Sequence, residues 1–366
     1  MRYDYLIVGA GLFGAVFARQ AMDKNRRCLV VDRRGHIGGN LYTELVEGIP
    51  VHRYGPHIFH TSRRDIWGYV NRFAEFGRFV NAPLARCGGQ IYHLPFNMNT
   101  FYELWGVAAP EEARRKLAEQ RAAAGQGTPR NLEEQALQMV GKDLYELLVK
   151  GYTEKQWGRP CTELPPFLIR RLPLRYTYNN DYFDDCYEGV PREGYTPMLE
   201  RMLKGAELLF HTDFLEQREA LSAMADKIVY TGRLDELYGF RYGELAHRSL
   251  HFETRVLQQD NFQGNAVVNF PLKEVPYTRV VEHKHFVAGS WPHTVVTWEY
   301  PRPCGKGDIP FYPVNDGENG ARYARYRALA EQEPNLLFGG RLAEFRYLNM
   351  DAVVASALDC AKQELG

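Results

Sequence analysis

The chain has 366 residues, and its 45 lysines and arginines are balanced by 45 aspartates and glutamates. This length allows two or three domains with a sizeable core, and the balanced charge gives no indication of a nucleic acid or a membrane surface as a partner. No apolar stretch approaches the ~20 residues of a membrane span, and a predicted strand begins at Tyr3, so we expect a cytoplasmic protein without a signal peptide.

The spacing of cysteines and histidines does not indicate a metal site. His57 and His60 lie three residues apart without a third ligand nearby, and no C-x-x-C pair occurs. We therefore expect no metal, and we expect reduced thiols. The six cysteines are Cys28, Cys87, Cys161, Cys186, Cys304 and Cys360.

The first forty residues predict a dinucleotide-binding unit. An apolar strand over residues 3–8 runs directly into Gly9-Ala10-Gly11-Leu12-Phe13-Gly14, and residues 15–18 continue at helical spacing. In a strand, glycine turn and helix of this kind, Gly9 allows the turn, Gly11 lets the backbone approach a pyrophosphate, and Gly14 lets the helix pack against the strand.

The next strand, residues 28–31, ends at Asp32, where a carboxylate would accept a ribose hydroxyl. Residues 33–40 then contain two adjacent glycines, Gly38 and Gly39. This arrangement resembles the extended fingerprint of two-dinucleotide-binding flavoproteins, which hold FAD rather than NAD. A simple glycine turn after a strand is the alternative.

Further elements follow in chain order. Residues 45–51 predict a hairpin, and the Gly55-Pro56 turn places His57 on a rigid loop, where it could contact a flavin or be a structural histidine. Residues 66–76 predict a helix, and residues 79–94 predict two strands around a glycine turn. Residues 98–148 then have helical character, with a linker at 122–130, which indicates an inserted helical domain.

Arginines, strands and a closing helix occupy the second half of the chain. Arg170 and Arg171 precede Pro173 and could form a mobile phosphate clamp or a surface pair. Residues 197–203 predict a helix, residues 227–232 a returning strand and turn, and residues 250–281 and 295–300 antiparallel strands. A last strand, a glycine pair at 339–340 and a helix over 352–362 should close over the FAD, so the first and last segments should meet in space.

Taken in this order, these segments closely resemble the bacterial type of UDP-galactopyranose mutase. The match covers essentially the whole chain and is specific as an ordered set of motifs. Its motifs lie at residues 9–14, 55–61, 94–100, 152–158, 171–173, 181–183, 277–279 and 341–351.

The resemblance implies a flavin-dependent isomerisation of UDP-galactopyranose to UDP-galactofuranose without net redox change. Reduced FAD would act through N5 as the nucleophile on the anomeric carbon, after activation by an external reductant. It also implies a homodimer or a higher homo-oligomer. This chemistry is consistent with the absence of an evident Ser-His-Asp set or carboxylate couple in the sequence.

The resemblance assigns roles to individual residues. Arg171 and Arg279 would bind the diphosphate, and His57 would lie beside the flavin. The predicted substrate-binding residues are Asn81, Tyr152, Thr153, Trp157, Tyr182, Tyr312 and Tyr347. The predicted cofactor-binding residues are Gly9, Gly11, Phe13, Gly14, Asp32, Gly39, Asn40, His57, Arg341, Asn349 and Met350.

One departure from the family pattern is Asn349, which stands where the motif usually has an aspartate and leaves Asp351 as the remaining carboxylate. Two alternatives stay open: an FAD-dependent oxidoreductase of the amine-oxidase type, and a nucleotide-sugar-binding protein without catalysis.

The predicted fold class is α/β, with a Rossmann-like FAD-binding domain, an inserted helical domain and an antiparallel β-sheet domain. The predicted boundaries are 1–78, 206–244 and 316–366 for the FAD-binding domain, 98–170 for the helical domain carrying the uridine-binding residues, and 79–97, 171–205 and 245–315 for the sheet domain with a mobile loop near 171.

Overall fold

The computed structural model describes residues 2–125, 127–169 and 172–366. The chain divides into two compact units. The first comprises Met1–Arg78, Asp185–His247 and Pro310–Gly366, and the second comprises Phe79–Asp184 and Arg248–Ile309.

Strands and helices are numbered in chain order through the described residues. The strands are β1 Tyr3–Val8, β2 Cys28–Val31, β3 Thr43–Val46, β4 Ile49–His52, β5 Phe59–Thr61, β6 Phe76–Gly77, β7 Leu84–Cys87, β8 Gln90–His93, β9 Tyr187–Pro191, β10 Glu207–Leu209, β11 Ala225–Tyr230, β12 His247–Leu257, β13 Val267–Asn269, β14 Arg279–Glu282, β15 Thr294–Pro303, β16 Tyr312–Pro313 and β17 Leu336–Phe338. The helices are α1 Leu12–Asp23, α2 Arg64–Val70, α3 Met98–Trp105, α4 Pro110–Ala122, α5 Leu132–Leu144, α6 Gly151–Trp157, α7 Tyr195–Leu203, α8 Arg218–Ser222, α9 Leu234–Leu237, α10 Gly317–Ala330 and α11 Met350–Leu365, with a π-helical segment at Tyr145–Lys150.

A five-stranded parallel sheet forms the centre of the first unit, in the order β10-β2-β1-β11-β17. In register, Leu6 of the central β1 pairs with Leu29 on one side and with Ile228 on the other. The four residues of β2 are buried, as the near-continuous apolar composition of a parallel strand covered on both faces requires. This topology confirms the predicted Rossmann-like fold.

The first and last segments of the chain meet in this unit, as expected. Helix α1 packs against α11, and the Tyr5 hydroxyl of β1 donates to the Glu364 carboxylate of α11 at 2.9 Å. Strand β17 pairs with β11, which in turn pairs with β1. The carboxyl ends of the amino-terminal and carboxy-terminal strands therefore lie at one edge of the sheet.

The predicted helix over 66–76 is too long. Helix α2 ends at Val70, and the amide of Phe73 donates to the Val70 carbonyl in a following turn. Phe76 and Gly77 then pair with Pro191 and Val190 in an antiparallel bridge. Phe76, which the apolar periodicity assigned to the helix, therefore belongs to a strand, and residues 71–75 form the turn and loop that lead to it.

In the second unit, six strands follow one another in the order β12-β15-β14-β13-β7-β8. They are antiparallel except for the parallel pair β13 and β7. The helices α3 to α6 contribute to one apolar cluster with the sheet residues Ala85, Cys87 and Tyr92, so helices and sheet share a core. The division into separate helical and sheet domains stays a prediction.

Helix α3 begins at a capping box. The Asn97 side chain accepts from the amides of Asn99 and Thr100, while the Thr100 hydroxyl accepts from the Asn97 amide.

Within the described part of the chain, we find no helix that is both long enough and apolar enough to cross a membrane.

Candidate active site

A pocket lies in the first unit, at the carboxyl ends of four neighbouring strands. Its lining includes Val8 and Gly9 after β1, Asp32 after β2, Thr231 after β11 and Arg341 after β17. In open α/β sheets, ligands bind in the crevice outside the carboxyl ends of the strands.

The glycine turn between β1 and α1 has the geometry that its sequence predicts. Gly9 has φ +110°, and a Cβ on Gly14 would lie 2.2 Å from the Gly9 carbonyl oxygen. A Cβ on Gly11 would meet no protein atom within 4 Å. Gly11 is the N-cap of α1 and no side chain caps this helix end, so its first amides can bind an anion.

The Asp32 carboxylate is fixed by two backbone amides. Its Oδ2 accepts from Ala10 at 2.9 Å and its Oδ1 accepts from Arg34 at 2.8 Å. Asp32 is therefore held at the end of β2 with a defined orientation toward the pocket that it lines.

Arg34 is a pocket residue that sequence reasoning missed. Its Nη2 donates to Asn40 Oδ1 at 2.9 Å, and its guanidinium lies 4.8 Å from the centre of the Tyr54 ring. Its Nη1 is buried and has no hydrogen-bond partner among the described residues, and burial lowers the pKa of the guanidinium. The signal in the sequence was an arginine two residues after the ribose-type acid.

Nine of the eleven predicted cofactor-binding residues line this pocket. Gly14 packs behind the turn, and Asn349 is the N-cap of α11, one residue before the lining residue Met350. Sequence reasoning did not assign a further set of lining residues, which follow the short β10 or lie near the end of β11. These are Thr212, Asp213, Phe214, Leu215, Tyr230 and Glu236.

The donor set of the pocket fits a flavin dinucleotide. Arg341 resembles Arg34 in having a buried nitrogen, Nε, without a partner among the described residues. Two such guanidinium groups, the uncapped start of α1 and the fixed Asp32 carboxylate match an anionic pyrophosphate and its ribose hydroxyls. An apolar ligand would leave these buried N–H groups unsatisfied.

His57 lines the pocket and three contacts hold it there. Its Nδ1 donates to the Gly55 carbonyl at 2.7 Å, its amide donates to His52 Nδ1 at 3.1 Å, and its carbonyl accepts from the Tyr195 hydroxyl at 3.0 Å. Burial lowers the pKa of His52 to about 3, so this ring is neutral and its Nδ1 can accept. Because a carbonyl can only accept, Nδ1 of His57 carries a proton.

Tyr312, Tyr347 and Arg341 form a stacked row in the first unit. The two tyrosine rings are 5.9 Å apart at 19°, and the Arg341 guanidinium lies 4.5 Å from the centre of the Tyr347 ring. Three predicted site residues are therefore brought together.

In the second unit, helix α6 carries Tyr152, Thr153 and Trp157. Thr153 and Trp157 are four residues apart and share a helix face. The helix follows directly on the π-helical segment, an irregularity that often occurs at functional sites. At its other end, Arg248 Nε donates to the Gln156 carbonyl at 2.9 Å.

Asn81 and Tyr182 are also close in this unit. The Asn81 carbonyl accepts from the Tyr182 amide at 2.7 Å. Arg171, the other predicted diphosphate arginine, lies outside the described residues.

Arg279 is paired with a buried carboxylate. Its Nε and Nη2 lie 2.8 Å and 2.7 Å from Glu299 Oε2, and the Glu299 side chain is 1% exposed. Burial raises the pKa of Glu299, and Arg279 opposes this shift. Asn269 lies opposite Arg279 across the β13–β14 pair, with its Oδ1 buried and without a partner among the described residues. Sequence reasoning missed Asn269.

Among residues 2–125, 127–169 and 172–366, no three or more metal-ligating side chains are grouped so that they could hold a metal ion.

Comparison with protein families gives two matches. Residues 147–347 match the family model described as UDP-galactopyranose mutase, and residues 7–73 match an NAD(P)-binding Rossmann-like domain. The "Probable UDP-galactopyranose mutase" of Klebsiella pneumoniae is 41% identical over 99% of this chain and 94% of its own length. The chain belongs to the UDP-galactopyranose mutase family. It is therefore an isomerase, and its Rossmann-like unit holds a flavin.

Two further proteins that are similar to this chain carry different names. The "dTDP-fucopyranose mutase" of Escherichia coli is 37% identical over 98% of this chain and 97% of its own length. The UDP-galactopyranose mutase of Mycoplasma pneumoniae is 30% identical over 100% of this chain and 96% of its own length. A crystal structure of a reduced UDP-galactopyranose mutase matches with a TM-score of 0.75 at 15% identity, covering 100% of this chain and 94% of that one, and supports the fold.

Proposed function

We propose that this enzyme interconverts UDP-galactopyranose and UDP-galactofuranose and uses FAD in its reduced state. The observation that carries the proposal is the pocket of the first unit with its anion-binding donors. The chain that forms this pocket is similar over its full length to a sugar-nucleotide mutase. When bound and reduced, FAD supplies an electron-rich N5 as the nucleophile for the anomeric carbon of galactose.

The residues of the first unit bind and orient the cofactor in this proposal. The turn from Gly9 to Gly14 and the start of α1 bind the pyrophosphate, and Asp32 accepts a ribose hydroxyl. Arg34 and Arg341 neutralise phosphate charge with N–H groups that are buried and have no partner among the described residues. His57 lies beside the flavin, with its Nδ1 proton committed to the Gly55 carbonyl.

The roles that remain for the protein concern the nucleotide sugar. We assign Asn81, Tyr152, Thr153 and Trp157 to the uridine. The departing UDP is a diphosphate, so charge-assisted hydrogen bonds from arginine stabilise it. The residues assigned to the diphosphate are Arg171, Arg279, Tyr182, Tyr312 and Tyr347.

Glu299 fixes the orientation of one of these arginines. Nε and Nη2 of Arg279 both donate to the same oxygen of Glu299, so the orientation of the guanidinium plane is fixed in the absence of a ligand. Such preorganisation increases the stabilisation of charge that develops during the reaction. We further propose an external reductant, a homodimer or higher homo-oligomer, and a cytoplasmic location.

The test is an anaerobic assay of dithionite-reduced protein with UDP-galactofuranose, in which chromatography follows UDP-galactopyranose and a spectrometer follows the flavin. We expect conversion in the reduced state alone, with the flavin still reduced afterwards. Consumption of reductant in proportion to product would support an oxidoreductase of the amine-oxidase type. No conversion by protein with bound, reduced flavin would refute the mutase.

A parallel assay with dTDP-fucopyranose tests the sugar nucleotide, because one relative at 37% identity is named for that substrate. We expect a larger kcat/KM for the UDP sugar. The opposite order would leave the isomerase assignment in place and replace the proposed substrate.

A further inference from the structure

Lys155 on α6 has an unusual set of partners. Its Nζ lies 2.5 Å from the Phe270 carbonyl oxygen, 2.9 Å from that of Leu272, 2.9 Å from that of Val275 and 3.0 Å from that of Tyr277. An ammonium has three N–H donors and no acceptor, so it suits a cage of carbonyl oxygens, here four oxygens that share three donors.

All four carbonyls belong to the segment that connects β13 to β14. This connection, residues 270–278, begins directly after Asn269 and ends directly before Arg279. Its two ends are therefore the residues that face each other across the β13–β14 pair. The connection therefore leads directly into Arg279, and its shape helps to set where β14 begins.

Helix α6 packs closely against the same connection. A Cβ on Gly151 would lie 2.3 Å from the Pro271 carbonyl oxygen, and Glu154 forms an ion pair with Lys273. Gly151 and Lys155 are four residues apart, so one face of the helix lies against the connection.

A positive charge is needed at the centre of this cage. Four carbonyl dipoles that point their oxygens at one location repel each other, and hydrogen bonds to a charged donor are about twice as strong as neutral ones. Without the ammonium, all four carbonyls would lose this donor, and the Leu272 carbonyl would still accept from the Val275 amide within the connection. The connection would have to rearrange to give the other carbonyls new donors.

We propose that Lys155 is a positioning residue for the nucleotide site, because it joins the helix that carries Tyr152, Thr153 and Trp157 to the connection that sets Arg279. This inference rests on the proposed function, since the ligand whose affinity it controls is a uridine diphosphate. Lys155 itself contacts neither flavin nor substrate in this proposal.

The ionisation of Lys155 provides a way to observe this role. Burial lowers the pKa of Lys155 to about 8, and Glu274 and Cys87 oppose the shift. Above that pH the side chain loses its charge and one N–H, so the cage loosens. Two titratable groups act on the Nζ charge, Cys87 on β7 and Glu274 on the connection. Other charged groups on the elements packed around Lys155 are the Glu154–Lys273 ion pair and Arg248 on β12, which donates to the Lys155 backbone carbonyl.

Neighbouring groups do not account for a transition near pH 8. Burial raises the pKa of Cys87 to about 11. The pKa of Glu154 is lowered, with its own burial opposing the effect of Lys273. Both groups therefore keep one ionisation state between pH 7 and pH 9.

The experiment compares the flavin-loaded wild type with Lys155→Met and with the control Lys150→Met. Lys150 precedes the same helix but pairs with Glu146 at 3.1 Å on the surface. We measure the Kd of UDP by calorimetry, KM and kcat with UDP-galactofuranose, and flavin content. We expect Lys155→Met to raise Kd and KM roughly tenfold with unchanged flavin content, and Lys150→Met to resemble the wild type.

The pH profile separates a positioning role from a general structural one. In the wild type, the Kd of UDP should rise between pH 7 and pH 9 with an apparent pKa near 8, and this rise should be absent in Lys155→Met. If Lys155→Met does not fold, the wild-type profile alone decides, and a flat profile overturns the inference. A Kd in Lys155→Met within twofold of the wild type overturns it as well.

Failure of the proposed function gives a different result. A wild-type enzyme that holds flavin but neither binds UDP nor converts the UDP sugar would overturn the proposed function, and the inference with it. A wild-type enzyme that does both, beside an equally competent Lys155→Met, would overturn the role of Lys155 alone.

Discussion

The pair of Arg279 and Glu299 makes a sharp prediction about stability. The Glu299 carboxylate is 1% exposed, and Arg279 Nε and Nη2 lie 2.8 Å and 2.7 Å from its Oε2. Replacing Arg279 by methionine removes the cation and leaves a buried carboxylate. Breaking a buried ion pair by removing one partner destabilises a protein by about 3–5 kcal/mol.

A double variant should recover most of this loss. In Arg279→Met with Glu299→Gln, no charge remains at the site, and replacement of both members of a buried pair is often nearly neutral. Glu299→Gln alone should destabilise by about 1–2 kcal/mol, because Arg279 keeps an oxygen acceptor and is partly exposed. The wild type should therefore be the most stable and Arg279→Met the least stable. Glu299→Gln and the double variant should lie between them.

The pH dependence of the single variant follows from the raised pKa of Glu299. Burial raises this pKa and Arg279 opposes it, so loss of Arg279 raises it further. A folded-state pKa above the unfolded value of about 4.3 means that the folded protein binds the proton more tightly. The contribution of Glu299 to the free energy of unfolding is then fully present below about pH 4.3 and is lost as the pH rises through the folded-state pKa. The deficit of Arg279→Met relative to the double variant should grow between pH 5 and pH 7.5.

Urea denaturation followed by tryptophan fluorescence measures these differences. Four of the five tryptophans belong to the second unit, and Trp298 directly precedes Glu299, so the signal reports on the unit that contains the pair. A double-mutant cycle at pH 5 and pH 7.5 separates the pair from single-residue effects. Equal destabilisation of Arg279→Met and the double variant at both pH values would refute the reasoning.

Three further predictions concern the first unit. Gly11→Ala should prevent flavin binding without lowering the melting temperature of the flavin-free protein, because its Cβ would meet no protein atom. Gly14→Ala should lower that melting temperature, because its Cβ would lie 2.2 Å from a carbonyl oxygen and such overpacking costs about 1–3 kcal/mol. Flavin absorbance and scanning fluorimetry distinguish the two variants. Burial lowers the pKa of His52 to about 3, so its contribution to the free energy of unfolding is present above the unfolded pKa of about 6.5 and is lost as the pH falls. Between pH 7 and pH 5, the free energy of unfolding of the wild type should therefore fall by about 2 kcal/mol more than that of His52→Gln. Equal losses in urea titrations would contradict this. Asn349→Asp should raise the free energy of unfolding by about 0.3–1 kcal/mol in the same assay, since it adds a negative charge at the uncapped start of α11, and a decrease would show that this charge is unfavourable there.

The flavin pocket could be predicted largely from sequence because its signals are local. The strand over residues 3–8, the turn from Gly9 to Gly14 and the acid at Asp32 follow one another within thirty residues, and each has a distinct backbone requirement. The residues after β10 were missed because that strand has only three residues, too few to show an alternating apolar pattern.

Contacts between distant residues were beyond prediction. His57 depends on Tyr195, which lies 138 residues away. The π-helical segment before α6 also had no sequence signal, because ordinary helical periodicity continues over residues 132–148, past Tyr145, where the segment begins. At Gly141, φ is 76° and ψ is 177° inside an otherwise helical stretch, a break that apolar spacing does not report.

Buried charges in the second unit act on Arg279 from two directions. Glu299 holds its guanidinium, and Lys155 holds the connection that leads into its strand. The two groups change ionisation at opposite ends of the pH range. Protonation of Glu299 at low pH would release Arg279, and deprotonation of Lys155 above about pH 8 would loosen the connection. If both residues position Arg279, UDP affinity should have an alkaline limit that Lys155→Met removes and that Glu299→Gln leaves in place. A variant at Glu299 that abolished the alkaline limit would instead assign that limit to the pair itself.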